Sequence, residues 1–238
     1  MEIVLPYRSF TIANSEYNLV PRLESVTRSI GAENNYYEIL TSVFLLESQL
    51  DSGQFFCSFP KVNYFSYLRD VLSEMSQRGL KKVSFNVNEE FLKSAYLAML
   101  IEDFRGLQIA LEISETIDSS EENTKAIRAL TAHPNVSIWL DDFGSGFSNF
   151  DTLEKCNFDA IKISKELFWR LFKQDKKLLS CLLINLRKKA GSVVVEGVDC
   201  FEKYVFCKEL NLLMQGYFFR ELKQKNLLSE ALTNAMCE

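Results

Sequence analysis

The chain has 238 residues, of which 47% are hydrophobic and 13% aromatic, and its formal net charge is −5. This length exceeds that of an average domain, but α/β barrels of roughly 200–250 residues fold as one unit. Acidic residues outnumber basic ones, 32 to 27, which argues against general binding to a nucleic-acid polymer. We therefore expect one domain with a single large core over residues 1–238.

Cysteine usage and the apolar segments indicate a cytoplasmic protein. The six cysteines contain no CxxC pair, a pattern typical of reduced thiols in a cytosolic protein. The first ten residues lack the apolar run of a secretory signal. The longest apolar stretch, Leu178–Leu186, is too short to span a bilayer, so we expect no membrane segment.

Short apolar segments rich in valine and isoleucine recur along the chain and predict buried parallel strands. In chain order they are Val4 with its neighbours, Tyr36–Phe44, Val83–Val87, Leu107–Ile113, Val136–Leu140, Ala160–Ile163, Val193–Val195 and Leu213–Phe218. The segment Tyr7–Asn35 is ambiguous, because the first crossover is hard to place there.

Amphipathic segments between these strands predict helices. Ser66–Arg78 ends at a glycine, Ser120–His133 opens with a serine that can cap a helix, and Asp175–Lys189 runs into Gly191. Strand and helix alternate about eight times. This alternation favours an α/β fold of the TIM-like (β/α)8 barrel type over a doubly wound sheet.

Polar side chains stand at, or directly after, the ends of most predicted strands. They are Asn86, Glu112, Glu115, Asp141, Asp142, Lys162, Glu196 and Gln215. In a barrel the C-terminal strand ends meet at one face, which is where barrel active sites lie. A lone residue of this kind is usually a strand-end or capping side chain, but a set in register at successive strands favours a functional site.

Several carboxylates gathered at one face would repel one another and take up protons unless cations compensate. Oxygen-rich ligand sets select hard ions, so Mg²⁺ or Mn²⁺ is expected here. The two glycines after Asp141-Asp142 suggest a loop that exposes its backbone to an ion or phosphate. A strand-to-helix turn capped by Ser148 explains the same residues, and both interpretations can hold.

These motifs resemble those of the EAL family of cyclic di-GMP phosphodiesterases over nearly the whole chain. In order they are Tyr37-Glu38-Ile39-Leu40, Ser84-Phe85-Asn86-Val87-Asn88, Leu111-Glu112-Ile113-Ser114-Glu115, Asp141–Ser148, Ile161-Lys162-Ile163, Val195-Glu196-Gly197-Val198-Asp199 and Gln215-Gly216-Tyr217. One such motif is weak evidence, but seven in the right order are specific.

The resemblance implies hydrolysis of cyclic di-GMP to linear pGpG with two ions, Mg²⁺ or Mn²⁺. One ion would be held by Glu38, Asn86, Glu112 and Asp141, and the second by Asp141, Asp142 and Glu196, directly or through water. A water between two ions becomes a hydroxide nucleophile.

The remaining roles follow from the same resemblance. Glu196, Lys162 and Glu115 form the implied catalytic set, in which Lys162 orients the water or neutralises phosphoryl charge and Glu115 holds the loop after Asp142. Leu40 and Gln215 are implied on the substrate side, Gln215 as a partner of the ligands.

Three departures from the family pattern bear on substrate affinity. The family's Leu-Arg-Trp after the signature is Thr41-Ser42-Val43, the Asp after Lys-Ile is Ser164, and the Glu after Glu-Gly-Val is Asp199. The lost arginine is a bidentate phosphate donor that serine cannot replace. The alternative is therefore a degenerate regulatory protein that binds cyclic di-GMP or a protein partner without hydrolysis. Whether the protein forms a homodimer is left open.

Overall fold

The computed structural model describes residues 2–32, 35–114, 117, 120–145, 153–154 and 156–222. Within this part the strands are β1 (Glu2–Val4), β2 (Arg8–Ile12), β3 (Ser15–Val26), β4 (Tyr36–Leu45), β5 (Ser48–Leu50), β6 (Lys82–Asn86), β7 (Gln108–Ser114), β8 (Val136–Phe143), β9 (Ala160–Ile163), β10 (Ser192–Val195) and β11 (Leu213–Met214). The helices are α1 (Ser52–Ser58), α2 (Lys61–Gln77), α3 (Glu89–Leu92), α4 (Ala95–Asp103), α5 (Glu121–Leu130), α6 (Lys165–Gln174), α7 (Lys176–Ala190) and α8 (Phe201–Glu209). One more helix begins at Tyr217.

Eight strands form the wall of a TIM-like barrel, which confirms the predicted fold class. They follow the order β3-β4-β6-β7-β8-β9-β10-β11, and all neighbours from β4 onward are parallel. Thr27 and Met214 exchange two backbone hydrogen bonds, of 2.9 and 2.7 Å, which join β11 to the end of β3. Strands β1, β2 and β5 lengthen the sheet outside this ring.

The first wall strand differs from the sequence-based assignment. The ambiguous segment Tyr7–Asn35 contains no crossover helix in its described residues; it contains β2 and β3, and β3 runs antiparallel to β4. A short connection suffices because antiparallel neighbours need no crossover. Pro21 in the middle of β3 obscured the strand, since proline lacks a ladder donor; here its carbonyl accepts from the Leu5 amide at 2.9 Å.

Alternation along the strands divides the apolar residues between two cores. A small cluster inside the ring comprises Val26, Ala110, Trp139, Ala160 and Val194. The large cluster lies between the wall and the helices, where α2, α4 and α7 bury their apolar faces. The small cluster fills the end of the ring where the parallel strands begin, so the opposite end is left to polar side chains.

Helix boundaries follow the capping signals at α5 and α7, whereas α2 begins at Lys61, five residues before the predicted start at Ser66, and has no side-chain cap. Ser120 caps α5 and Asp175 caps α7, each by accepting a backbone hydrogen bond, and Gly191 ends α7 at a φ of 73°. The last predicted strand, Leu213–Phe218, is shorter than expected, because a helix already begins at Tyr217. No helix in the described residues is long and apolar enough to cross a bilayer.

Candidate metal and phosphodiester site

A buried lysine stands among four carboxylates at the C-terminal mouth of the barrel. The Lys162 ammonium lies 2.7 Å from Glu112, 3.0 Å from Asp141, 3.1 Å from Glu196 and 3.4 Å from Glu38. Lys162 is 1% exposed and Glu112 is fully buried. Four carboxyl groups therefore surround one ammonium, and in their ionised form they carry an excess of negative charge that attracts cations.

The strand order explains this arrangement. Glu38, Glu112 and Asp141 stand on β4, β7 and β8, while Lys162 stands on β9 and Glu196 directly follows β10. Inward-facing positions at the ends of neighbouring parallel strands converge on one point. The long, flexible lysine stem lets its ammonium reach that point from the middle of β9.

Burial and mutual repulsion shift the titration of these groups. Burial alone would lower the pKa of Lys162, but the four carboxylates outweigh it and raise that pKa well above its usual range. Burial and the charge of Glu38 raise the pKa of Glu112, and Lys162 opposes the shift. Burial, followed by the charges of Asp141 and Glu38, raises the pKa of Glu196 to about 7. Lys162 therefore stays protonated, whereas Glu196 exchanges a proton near neutral pH.

Two buried carboxylate oxygens indicate that this cluster could bind divalent cations. Oε1 of Glu112 and Oδ1 of Asp141 are buried and accept no hydrogen bond, although the latter lies 3.0 Å from the Lys162 ammonium. As the side chains stand, no three carboxylates, thiols or imidazoles of the described chain converge on a single ion position, and the Lys162 ammonium lies within 3.4 Å of all four carboxylates. The oxygen donors of the cluster are of the kind that Mg²⁺ or Mn²⁺ prefers.

The other predicted site residues lie around this cluster, apart from one. Nε2 of Gln215 donates to Oε2 of Glu38 at 2.5 Å. Asp142 lines a cleft that also contains Glu38 and Glu196, and it adopts a left-handed conformation with φ of 56°, a strain that is typical of functional turns. Asn86 ends β6 beside Glu112 in the strand register. Glu115 lies outside the described residues, as does part of the loop 141–148.

Two cavities open onto the mouth and adjoin at Leu40, which lines both. The larger, about 700 Å³, is here called the acidic cleft and is lined by Glu24, Glu38, Leu40, Asp142, Lys165, Glu166, Trp169, Glu196, Gly197, Asp199, Gln215, Gly216, Tyr217 and Arg220. The smaller, about 390 Å³, is lined by Asn86 and by aromatic residues that include Phe56, Tyr64 and Tyr67. Together they offer a polar and an apolar compartment of the kind that nucleotide-sized ligands use.

Sequence reasoning missed an ion pair in the acidic cleft. Nη2 of Arg220 donates to Oε2 of Glu24 at 2.7 Å, and Glu24 lies opposite Glu38 in the register of β3 with β4. The sequence feature that could have indicated this pair is Glu24, a charged residue inside the ambiguous segment Tyr7–Asn35. Its position facing the cleft follows only from the assignment of β3 as a wall strand.

The raised pKa of Glu196 predicts how manganese should stabilise the protein. Its pKa in the folded protein, about 7, exceeds the ordinary 4.5, so the folded state holds the extra proton and the metal-free protein loses stability as pH rises through that window. Metal ligands must be deprotonated. We therefore expect Mn²⁺ to raise the melting temperature more at about pH 8 than at about pH 5.5. Thermal melts with and without Mn²⁺ measure this, and an equal gain at both pH values would contradict it.

The fold and the mouth together define an α/β barrel whose site lies at the C-terminal strand ends. The EAL domain model matches residues 63–221, more than half of the chain. The chain therefore belongs to the EAL domain family, which confirms the resemblance seen in its motifs.

Two curated relatives carry related sequence. The chain is 41% identical over 69 residues to the cyclic di-GMP phosphodiesterase PdeH of Escherichia coli (strain K12), a match that covers 28% of this chain and 27% of PdeH. It is 31% identical over 164 residues to the cyclic di-GMP phosphodiesterase RocR of Pseudomonas aeruginosa, covering 61% of this chain and 40% of RocR. The matched parts thus span less than half of either relative.

Solved structures share the fold. An EAL domain protein from Listeria monocytogenes EGD-e superposes with a TM-score of 0.69 at 22% identity, over 89% of this chain and 93% of that protein. BlrP1 of Klebsiella pneumoniae, in a manganese/cyclic di-GMP complex at pH 6, superposes with a TM-score of 0.67 at 18% identity, over 92% of this chain and 58% of that one.

Proposed function

We propose that this chain is a metal-dependent phosphodiesterase that hydrolyses the second messenger cyclic di-GMP to linear pGpG in the bacterial cytoplasm. The observation that carries the proposal is the cluster of four carboxylates within 3.4 Å of the Lys162 ammonium at the barrel mouth. The names of PdeH and RocR support the substrate class.

The ligand assignment follows from family membership and is supported by the oxygen donors gathered at the barrel mouth. Glu38, Asn86, Glu112 and Asp141 would hold one ion, and Asp141, Asp142 and Glu196 the second. Mg²⁺ or Mn²⁺ suits this oxygen-rich set, and manganese is present in the BlrP1 complex. When bound, such ions acidify a water and stabilise negative charge on the oxygens that attack and leave phosphorus.

The chain's own residues then have distinct tasks. Lys162 stays protonated, so it acts as a hydrogen-bond donor that orients the attacking water and neutralises phosphoryl charge. Glu196 directly follows β10 and lies 3.1 Å from the Lys162 ammonium, so it would accept the proton of that water. Gln215 fixes Glu38 through its 2.5 Å hydrogen bond, and Leu40 lines the substrate position between the two cavities. Glu115 would hold the loop that follows Asp142.

One observation favours the regulatory alternative, in which cyclic di-GMP or a protein partner binds without hydrolysis. Ser164 replaces the family's aspartate, is fully buried, and caps α6 by accepting a hydrogen bond from the Leu167 amide. Its role here is structural, and it brings no carboxylate to the second ion. The cluster around Lys162 keeps hydrolysis as the favoured function, because a receptor that never cleaves has little need of so many buried carboxylates.

Hydrolysis in the presence of defined metals tests the proposal. We expect purified protein to release pGpG from cyclic di-GMP with Mg²⁺ or Mn²⁺, and Ca²⁺ to support binding but little turnover, because Ca²⁺ prefers more ligands at longer distances. Product is measured by chromatography, with EDTA as the control. Equal pGpG in EDTA would rule out the metal mechanism, and binding without any product would establish the regulatory alternative.

A further inference from the structure

Arg220 places a guanidinium in the acidic cleft that the mechanism above does not use. Its side chain is 32% exposed, while its partner Glu24 is 8% exposed. Glu24 lies opposite Glu38 in the β3–β4 register, and opposite residues of an antiparallel pair point to the same face. The guanidinium is therefore held one strand away from a proposed metal ligand.

Arg220 is one of few basic residues in a cleft that is lined mainly by acidic ones. Six of its lining residues are carboxylates, whereas the cations among them are Lys165 and Arg220. The Lys165 ammonium lies 3.8 Å from Glu166 and 5.3 Å from the centre of the Trp169 ring, so it is engaged on α6. Of these two basic residues, Arg220 is the one that lies on the Glu38 side of the acidic cleft.

The backbone around Arg220 fixes where its side chain points. The preceding segment is anchored by Gln215 to Glu38 and by Arg220 itself to Glu24. Between them Gly216 has a φ of 149°, and a Cβ there would lie 2.5 Å from the carbonyl oxygen of Val198. The segment therefore packs against its neighbour in one way, which reduces the entropy that Arg220 would lose on binding a ligand.

We propose that Arg220 binds a phosphate of the dinucleotide, with Glu24 holding the guanidinium in place. The inference rests on the proposed function and names a substrate contact within it. A guanidinium presents five donors in a planar fork, so one edge can bind a carboxylate while another binds phosphate oxygens. The Glu24–Arg220 pair is only partly buried, and such an ion pair contributes little to stability compared with apolar packing. Placing a pair in this cleft is therefore better explained by ligand binding.

Binding of cyclic di-GMP in Ca²⁺, measured by calorimetry without turnover, tests the proposal. We expect Arg220→Gln to weaken binding at least about tenfold, the effect of losing one charge-assisted phosphate contact. Arg220→Lys should retain part of the affinity. Arg28→Gln is the matched control, because it removes the same charge at the opposite end of the barrel, where Arg28 bonds the Asn211 carbonyl.

The double variant Glu24→Gln/Arg220→Gln separates a ligand contact from neutralisation of Glu24. It removes both charges and leaves no unpaired carboxylate, so it should fold and keep its thermal response to Mn²⁺, yet bind cyclic di-GMP as weakly as Arg220→Gln. Wild-type affinity in the double variant would overturn the proposal. Wild-type protein that responds to Mn²⁺ but binds no cyclic di-GMP would instead overturn the proposed substrate, and the Arg220 contact with it.

Discussion

If the proposed function holds, replacing Glu38 by alanine should lower the rate of cyclic di-GMP hydrolysis by about a hundredfold or more, since it would remove a proposed ligand of the first ion. Glu38 is 3% exposed and contacts both Lys162 and Gln215. The substitution also removes the acceptor of the Gln215 hydrogen bond. Turnover is measured as pGpG released in excess Mn²⁺.

Glu209→Ala is the matched control for Glu38→Ala, because Glu209 is an exposed glutamate on α8. Its activity should equal that of the wild type, since surface substitutions away from special features have small effects. Unchanged turnover in Glu38→Ala would remove this residue from the ligand set and with it the two-ion assignment.

Replacing Lys162 by methionine should destabilise the metal-free protein by about 3–5 kcal/mol, the usual effect of leaving buried charges without their partner. Methionine fills similar space, so the loss reports charge and not a cavity. The effect should grow with pH, because the carboxylates escape repulsion by taking up protons at low pH. Urea unfolding in EDTA at about pH 6 and about pH 8 measures both trends.

Mn²⁺ should restore part of the stability lost in Lys162→Met, because a divalent cation supplies the missing positive charge. Hydrolysis should stay low, since the hydrogen-bond donor is gone. Lys189→Met, at an exposed position near the end of α7, should leave stability nearly unchanged. A Lys162→Met protein as stable as the wild type in EDTA would show that the four carboxylates are already protonated.

The parallel wall could be predicted because its strands carry a simple pattern. Val193–Val195 is apolar on both faces and Ala160–Ile163 is apolar apart from Lys162, as expected of strands buried between a barrel interior and a helix layer. The first segment forms β9, and the second lies within β10. Polar residues at the ends of such strands stand out, and the structure brings Glu112, Asp141 and Glu196 around Lys162. Their roles in catalysis stay predictions.

The first wall strand could not be predicted from the same pattern. In β3, Arg22 and Glu24 alternate with the buried Leu23, and Pro21 stands beside them, a residue that lacks a ladder donor. Inward-facing charges above the apolar ring interior make the strand look like a loop. The pair of Glu24 with Arg220 joins residues 196 positions apart, and no local periodicity reports such a contact.

The junction between β3 and β11, here called the seam, indicates when the site forms during folding. Two backbone hydrogen bonds close the ring there, and the contacts of Gln215 with Glu38 and of Arg220 with Glu24 cross the same seam. Contacts between residues this distant in sequence form late, because loop closure must precede them. During synthesis the wall can therefore assemble from β4 to β10 before Gln215 reaches Glu38. A ligand bound across the seam would link early and late parts of the chain and slow local opening of the ring.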